Sequence, residues 1–262
     1  MIGGGEVDEI VQRQWLDWLA EITDGDGITG FDAGGWPATT WVLHSIYEDQ
    51  AVTGEATHDD FRHARLAAGL DTPIMIGSVN LDSETTVIGG SLGMSEPPGG
   101  NWARLRWHEL AARLAIDFAA NHVPPCFRWF PYRSWPARLD PPDEGSLDEA
   151  SLAALVDQLG VLSSEGRSTR CVAYYCPLAN RGNFDETWMC EVELRDLRTL
   201  VDPSQGQSGT PSNWWAPDKS WMVYTDWDLW ATKVSGTSAL IASIEADQRL
   251  ECVRWSQPDG DG

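Results

Sequence analysis

The spacing of apolar residues changes along this chain, and that change constrains its fold more than any other feature. Between residues 7 and 22 apolar side chains recur every three or four positions, which predicts one face of an amphipathic helix. A second helix is predicted to start at Pro37 and run through Ile46. A third is predicted to be capped by Thr57 and closed by Gly69. The first 70 residues are therefore predicted to be helical.

Farther along, short runs rich in β-branched and aromatic residues predict strands. Residues 74–79 and 85–88 are predicted to form a hairpin, and residues 103–119 a helix. The pattern at Ser146 and Glu149 resembles a capping box and predicts another helix. Strands are then predicted at 171–176, 188–194, 220–225, 229–234 and 250–255, with a helix at 238–247 that allows a crossover connection between the last two strands.

These patterns predict an α+β fold, with a helical N-terminal part followed by a mixed or antiparallel sheet with packed helices. The segment DPPDEG, from Asp140 to Gly145, combines prolines, acids and a glycine, which is typical of a boundary or a long surface loop. We therefore divide the chain into an N-terminal α+β region, 1–140, and a C-terminal α+β region, 146–262. The sequence leaves open whether the two regions pack as a single domain.

Charge restricts the possible partners. The 262 residues include 40 acidic and 18 basic side chains, for a formal net charge of -22. A polyanion is repelled by naked nucleic acid and by anionic membrane surfaces, so we expect neither as a partner, and a basic protein is favoured instead. The 15 tryptophans supply large rigid contact areas, which serve either a core or a binding surface.

The sequence also indicates where in the cell the protein is located. No apolar run approaches the roughly 18 residues that a membrane span needs. The first residues lack the basic and apolar regions of a secretory signal. The five cysteines are odd in number and scattered, which is typical of reduced thiols. A cytoplasmic location is therefore predicted.

Several stretches of the chain resemble an uncharacterised protein family of high-GC bacteria. The resemblance is carried by GSLDEASLAALV, AYYCPLA, SNWWAPDKSWMVYTDWDLWATKVSG and IASIEADQRLECVRW, and it extends to WPATTWVLHSIYE and PPCFRWFPYRSWPA. It implies a cytoplasmic bacterial protein and carries over no catalytic residues.

One candidate site is the sequence Asp226-Trp227-Asp228-Leu229-Trp230. Strand alternation would place Asp226, Asp228 and Trp230 on one face, with the two carboxylates about 7 Å apart. Carboxylates at that spacing can share a divalent cation or act as acid and base. The alternative interpretation is a hairpin turn with solvated aspartates.

A second candidate is the run FRWFPYRSWPAR, residues 127–138, in which arginines alternate with aromatic residues. Residues 101–138 hold six arginines against two acids, so this segment has a net charge of +4. Planar guanidinium groups among aromatic rings suit an anionic ligand or a stacked contact, although such arginines also pair with a protein's own carboxylates. The residues predicted to bind are Arg128, Trp129, Arg133, Trp135, Trp227 and Trp230.

No metal site and no cofactor are predicted. The five histidines are dispersed, and Cys171 and Cys176 would point to opposite sides of a strand, so zinc-ligand spacing is absent. The segment DGDGITGFD lacks the ligands that a calcium loop needs, and no Lys-Ser/Thr pair follows the glycines at 89, 90 and 93.

Three functions follow from these observations. The first is an acidic, non-enzymatic binding protein, of the immunity or inhibitor type, for a basic protein partner. The second is a metal-dependent hydrolase that uses Asp226 and Asp228, with arginines from 128–138 holding an anionic substrate. The third is a structural or accessory subunit of a complex.

Overall fold

Thirteen strands and six helices make up the regular structure of the computed structural model, which describes residues 5–23, 27–84, 94, 96, 98–118, 129–179, 187–202, 204, 207 and 209–254. The strands are β1 (Gly5–Glu6), β2 (Ala38–Leu43), β3 (Ile46–Asp49), β4 (Met75–Ile76), β5 (Val79–Asn80), β6 (Trp102–Leu105), β7 (Leu139–Asp140), β8 (Arg170–Tyr175), β9 (Trp188–Glu193), β10 (Asn213–Trp215), β11 (Met222–Thr225), β12 (Ala231–Gly236) and β13 (Cys252–Val253). The helices are α1 (Glu9–Glu21), α2 (His58–Ala67), α3 (Leu81–Glu84), α4 (Trp107–Arg113), α5 (Glu149–Leu162) and α6 (Ser238–Ala246).

Eight of these strands form one antiparallel sheet, in the order β1, β9, β8, β10, β11, β12, β2, β13. Strand β2 lies between β12 and β13 and is antiparallel to both. Strands β12 and β13 therefore run parallel to each other and are joined through α6. This is the crossover connection that the sequence predicts, with β2 inserted between its strands.

Alternation along β8 shows why both faces of this sheet are covered. Cys171, Ala173 and Tyr175 point to one face, whereas Val172 and Tyr174 point to the other, and all five are buried. Cys176 continues the second set, so Cys171 and Cys176 lie on opposite sides, as predicted. A strand with two apolar faces has to be packed on both sides.

Helices supply that packing. Leucines and isoleucines of α5 and α6, with those of a 3₁₀-helix at Leu194–Leu200, cover the first face. Asp148 caps α5 by accepting hydrogen bonds from the amide and hydroxyl of Ser151, at 2.9 and 2.7 Å. The cap is therefore Asp148 rather than the predicted Ser146. Helix α1, through Leu19, covers the second face together with Phe31 and Ala33.

The chain forms two compact units. The sheet unit contains the described residues of 1–44, 92–97 and 143–262, and the insert unit contains those of 45–91 and 98–142. The chain leaves the insert unit after residue 142, within the predicted boundary segment. It enters that unit after residue 44, where composition gives no boundary signal. The described residues of 5–44 therefore belong to the same unit as the C-terminal strands.

The insert unit has a small sheet of its own, with β3 between β6 and β7. Its largest buried side chains are Trp107 and Trp135, whose ring centres lie 6.0 Å apart. Phe130 packs against Trp135 at 5.1 Å. Strands β4 and β5 form a separate two-stranded hairpin.

The α+β class and the helical start of the chain are confirmed. Of the predicted helices, the one from Pro37 through Ile46 is wrong throughout, and the one at 103–119 is wrong in part. Residues 38–43 form β2, because the pairing with β12 and β13 uses the β-branched residues Thr39, Thr40 and Val42. The predicted helix at 103–119 begins as strand β6 and becomes helical only in α4. The predicted strand at 85–88 lies outside the described residues.

None of the helices in the described ranges is long and apolar enough to cross a membrane.

His44 is buried where β2 ends. Its Nδ1 lies 2.7 Å from the carbonyl oxygen of Asp143, and its Nε2 lies 3.0 Å from the hydroxyl of Thr232. That hydroxyl is also 2.8 Å from the hydroxyl of Thr225. Burial lowers the pKa of His44 to about 4, although the Asp143 carbonyl and the charge of Asp148 oppose the shift.

Acid should therefore destabilise the sheet unit through His44. Because the pKa of His44 in the folded protein lies below the ordinary value of 6.5, the unfolded chain takes up the proton first as the pH falls. The stabilising contribution of neutral His44 is therefore complete above pH 6.5 and is lost as the pH falls towards 4. The loss is on the order of 3 kcal/mol. Urea unfolding between pH 7 and pH 4.5 measures it. His44→Gln has no imidazole to protonate, so its free energy of unfolding should fall less steeply over that range. Equal slopes in the two proteins would contradict the assignment.

Candidate functional site

The two predicted aspartates occupy the turn between β11 and β12. Residues 226–230 are not part of either strand, so strand alternation does not apply to them and the predicted common face is absent. The amide of Asp228 donates to Oδ1 of Asp226 at 3.3 Å, and the hydroxyl of Tyr224 donates to Oδ2 of Asp226 at 2.7 Å. The alternative interpretation, a hairpin turn, describes this segment.

The segment that precedes α5 contacts the turn. The amide of Gly145 donates to the carbonyl of Leu229 at 3.0 Å, and φ of Gly145 is +68°. A Cβ at this position would collide with the carbonyl of Trp227, so only glycine fits. Trp227 is half-buried, and Trp230 is buried at 6% exposure. Trp230 therefore packs inside this corner, and Trp227 is only partly accessible.

Carboxyl groups crowd the turn, and the pKa values of Asp228 and Glu144 are raised. A hydrogen bond with the Asp226 carboxyl, then burial and the Asp226 charge, raise the pKa of Asp228. Burial, followed by the charge of Asp228, raises the pKa of Glu144, while a hydrogen bond from Trp230 opposes this shift. Asp228 thus retains its proton more readily than an isolated aspartate does.

This arrangement does not provide a metal centre. Across the described part of the chain, no three His, Cys, Asp or Glu side chains are grouped so that they could hold a metal ion. The hydrolase hypothesis therefore lacks a ligand set among these residues.

The arginine and aromatic run lies in the insert unit. Trp135 is fully buried and belongs to the core, whereas Trp129 is half-buried and packs edge-on against Trp107 at 5.9 Å. Arg133 is exposed, with a positive φ of 56°. Arg138 lies 3.3 Å from the carboxylate of Glu48, which is the intramolecular pairing that the sequence left open. Arg128 lies outside the described residues.

The structure brings together a group of tryptophans that sequence analysis did not predict. Trp15 and Trp18 are one helical turn apart on α1, and their ring centres lie 5.6 and 5.7 Å from that of Trp215. Trp36 packs edge-on against Trp18 at 6.4 Å. Trp215 is fully buried, whereas the other three are partly exposed.

A lysine completes this group. The ammonium of Lys219 lies 4.4 Å from the ring centre of Trp18 and 5.8 Å from that of Trp15. Its backbone adopts the uncommon left-handed conformation, with φ of +61°, and its carbonyl accepts a hydrogen bond from the indole N–H of Trp36 at 3.0 Å. We call Trp15, Trp18, Trp36, Trp215 and Lys219 the tryptophan face.

Only part of the tryptophan face was visible in the sequence. The spacing of Trp15 and Trp18 places them on one side of a helix, and Lys219 is one of only two lysines in the chain. The contact between Trp18 and Lys219 joins residues about 200 positions apart, so no local pattern could have predicted it.

Comparison of the chain with protein families, with curated proteins and with solved structures found no match. The resemblance to a family of high-GC bacteria stays a prediction.

Asp228→Asn tests the interpretation of the aspartate turn. Asparagine removes one charge from the crowded carboxyls, so the free energy of unfolding at pH 7 should rise by about 0.5 kcal/mol. The gain should shrink as the pH falls and the Asp228 carboxyl of the parent protein, whose pKa is raised, takes up a proton. Denaturant unfolding measures both values, and Glu165→Gln, at an exposed site, controls for net charge. A loss of stability at pH 7 would show that the Asp228 carboxylate has a favourable partner.

Proposed function

We propose that this protein is a non-enzymatic binding protein for a basic protein partner. The observation that carries the proposal is the position of the Lys219 ammonium over Trp18. A cation over an exposed indole is stabilised by about 0.5–1 kcal/mol, and more where water is excluded. The tryptophan face therefore favours cationic side chains, and a lysine or arginine from a partner can stack on the same rings.

Charge around the tryptophan face favours the same kind of partner. Exposed acidic side chains lie beside it: Asp17 and Glu21 on α1, and Asp218 next to Lys219. Segments 1–44, 92–97 and 143–262 of the sequence carry 29 acidic and 10 basic residues, whereas segments 45–91 and 98–142 carry 11 and 8. The negative potential of the sheet unit would speed encounter with a basic protein and repel nucleic acid and anionic membranes.

An exposed hairpin in the insert unit also favours a protein partner. Met75, Ile76 and Val79, on β4 and β5, are 52, 65 and 47% exposed. Neighbouring exposed apolar side chains are typical of protein contact surfaces. The proposed type is an immunity or inhibitor protein that covers a basic partner, and the proposed location is the cytoplasm.

Binding of defined peptides tests the proposal. Decalysine should bind the parent protein saturably at about 50 mM salt and more weakly at about 300 mM salt, because screening weakens exposed charge pairs. Decaglutamate should not bind. Isothermal titration calorimetry at both salt concentrations measures the dissociation constants.

Two variants test whether decalysine binds at the tryptophan face. Trp18→Leu should weaken decalysine binding at least fivefold, whereas Lys219→Met should leave it equal or tighter, because the competing ammonium is removed. Trp102→Leu, in β6 of the insert unit, is the matched control and should bind like the parent. Equal affinity of Trp18→Leu and the parent, or no binding at low salt, would contradict the proposal.

A further inference from the structure

A cavity of about 300 Å³ lies within the insert unit. Its walls are mainly apolar and include Leu110 and Leu114 at the end of α4, Phe130 and Leu139. Tyr132, at 79% exposure, stands at the edge. Its volume is at the small end of the range found for small-molecule sites.

Two arginines and two glutamates line the same cavity. Arg113, on α4, places Nη1 at 2.8 and 2.9 Å from the two carboxylate oxygens of Glu48, on β3. Arg138 places Nε at 3.3 Å from Oε1 of Glu48. The trio of Glu48, Arg113 and Arg138 has a net charge of +1, which the carboxylate of Glu55, the other glutamate of the lining, offsets.

One hydrogen-bond donor in the wall is incompletely used. The Nε–H of Arg138 is buried, and no described atom accepts from it in hydrogen-bond geometry. The fully buried hydroxyl of Ser134, which also lines the cavity, accepts from the amide of Asp59 at 3.3 Å. A buried donor without an acceptor costs about 1–3 kcal/mol, so an acceptor in the cavity would be stabilising.

We infer that this cavity binds a small organic monocarboxylate with an apolar body, such as an aryl-substituted or branched short-chain acid. A planar carboxylate matches the geometry of guanidinium donors, and its oxygens can accept from the buried Nε–H of Arg138. Phosphate, with a greater negative charge than a monocarboxylate, would be repelled more strongly by Glu48 and Glu55. The apolar walls would hold the remainder of the ligand.

This inference is independent of the proposed basic partner, because every residue that it uses belongs to the insert unit. Calorimetric titration of the full chain with 4-phenylbutyrate, 4-phenylbutyramide and inorganic phosphate tests it. The carboxylate should bind saturably, with a dissociation constant at least tenfold lower than that of the amide. Phosphate should not bind saturably.

Two arginine variants distinguish the loss of a guanidinium inside the cavity from the loss of a positive charge elsewhere in the insert unit. Arg138→Gln should weaken carboxylate binding about tenfold and leave amide binding unchanged. Arg133→Gln removes the same charge from a neighbouring residue outside the cavity lining, so it should bind like the parent.

Leu114→Trp keeps the charged trio and fills the cavity, so it should abolish binding of both compounds. This variant provides a test even if Arg138→Gln fails to fold. The inference would be overturned by absence of saturable carboxylate binding to the parent, or by equal affinity for acid and amide. Equal losses in Arg133→Gln and Arg138→Gln, or retained binding in Leu114→Trp, would overturn it as well.

Discussion

Strand β2 joins the two ends of the chain, and the rest of the architecture depends on it. Its six residues pair with β12 from Ala38 opposite Gly236 to Leu43 opposite Ala231, and Trp41 and Val42 also pair with β13. These contacts join residues about 200 positions apart, so their formation has a loop-closure cost that local structure cannot offset. The insert unit is formed by segments 45–91 and 98–142, which follow β2 in the chain and precede the remaining strands of the sheet other than β1.

Both faces of the sheet are covered by packed segments, and this packing explains where the buried polar groups and the tryptophans lie. Asn213 on β10 accepts a hydrogen bond from the amide of Phe31 at 2.7 Å and donates one to its carbonyl at 2.9 Å. The loop after α1 is thereby attached to the second face. That attachment leaves Trp36, a few residues later, beside Trp18 and Lys219. The tryptophan face thus depends on a buried amide from a strand more than 180 residues away.

Elements with strong local patterns could be predicted from the sequence. Helices α1, α2, α5 and α6 and strands β8, β9, β11 and β12 follow from periodicity and capping residues. Residues 38–43 could not be assigned in this way, because Pro37 allows a helix start and the strand forms only with partners at the other end of the chain. The sequence predicts Asp226 and Asp228 on one strand face because the strand pattern continues past Thr225. In the structure β11 ends at Thr225, so the two aspartates lie in a turn. The ion pairs of Glu48 with Arg113 and Arg138 could not be predicted from the sequence either. Like the pairing of β2, they join segments that are far apart in the chain.

An acidic protein can hold an anion, because the net charge of the protein and the charges that line a site act over different distances. Screening limits the influence of exposed charges to about 8 Å at physiological ionic strength, so the net charge of -22 affects how partners approach rather than how a ligand is held. Inside the cavity the charges of Glu48, Glu55, Arg113 and Arg138 sum to zero, so a carboxylate there would be held by guanidinium donors and not by excess charge. The acidic excess is concentrated in the sheet unit, beside a surface that already holds a cation. The two proposed sites are therefore chemically opposite, and each is built from residues of one unit.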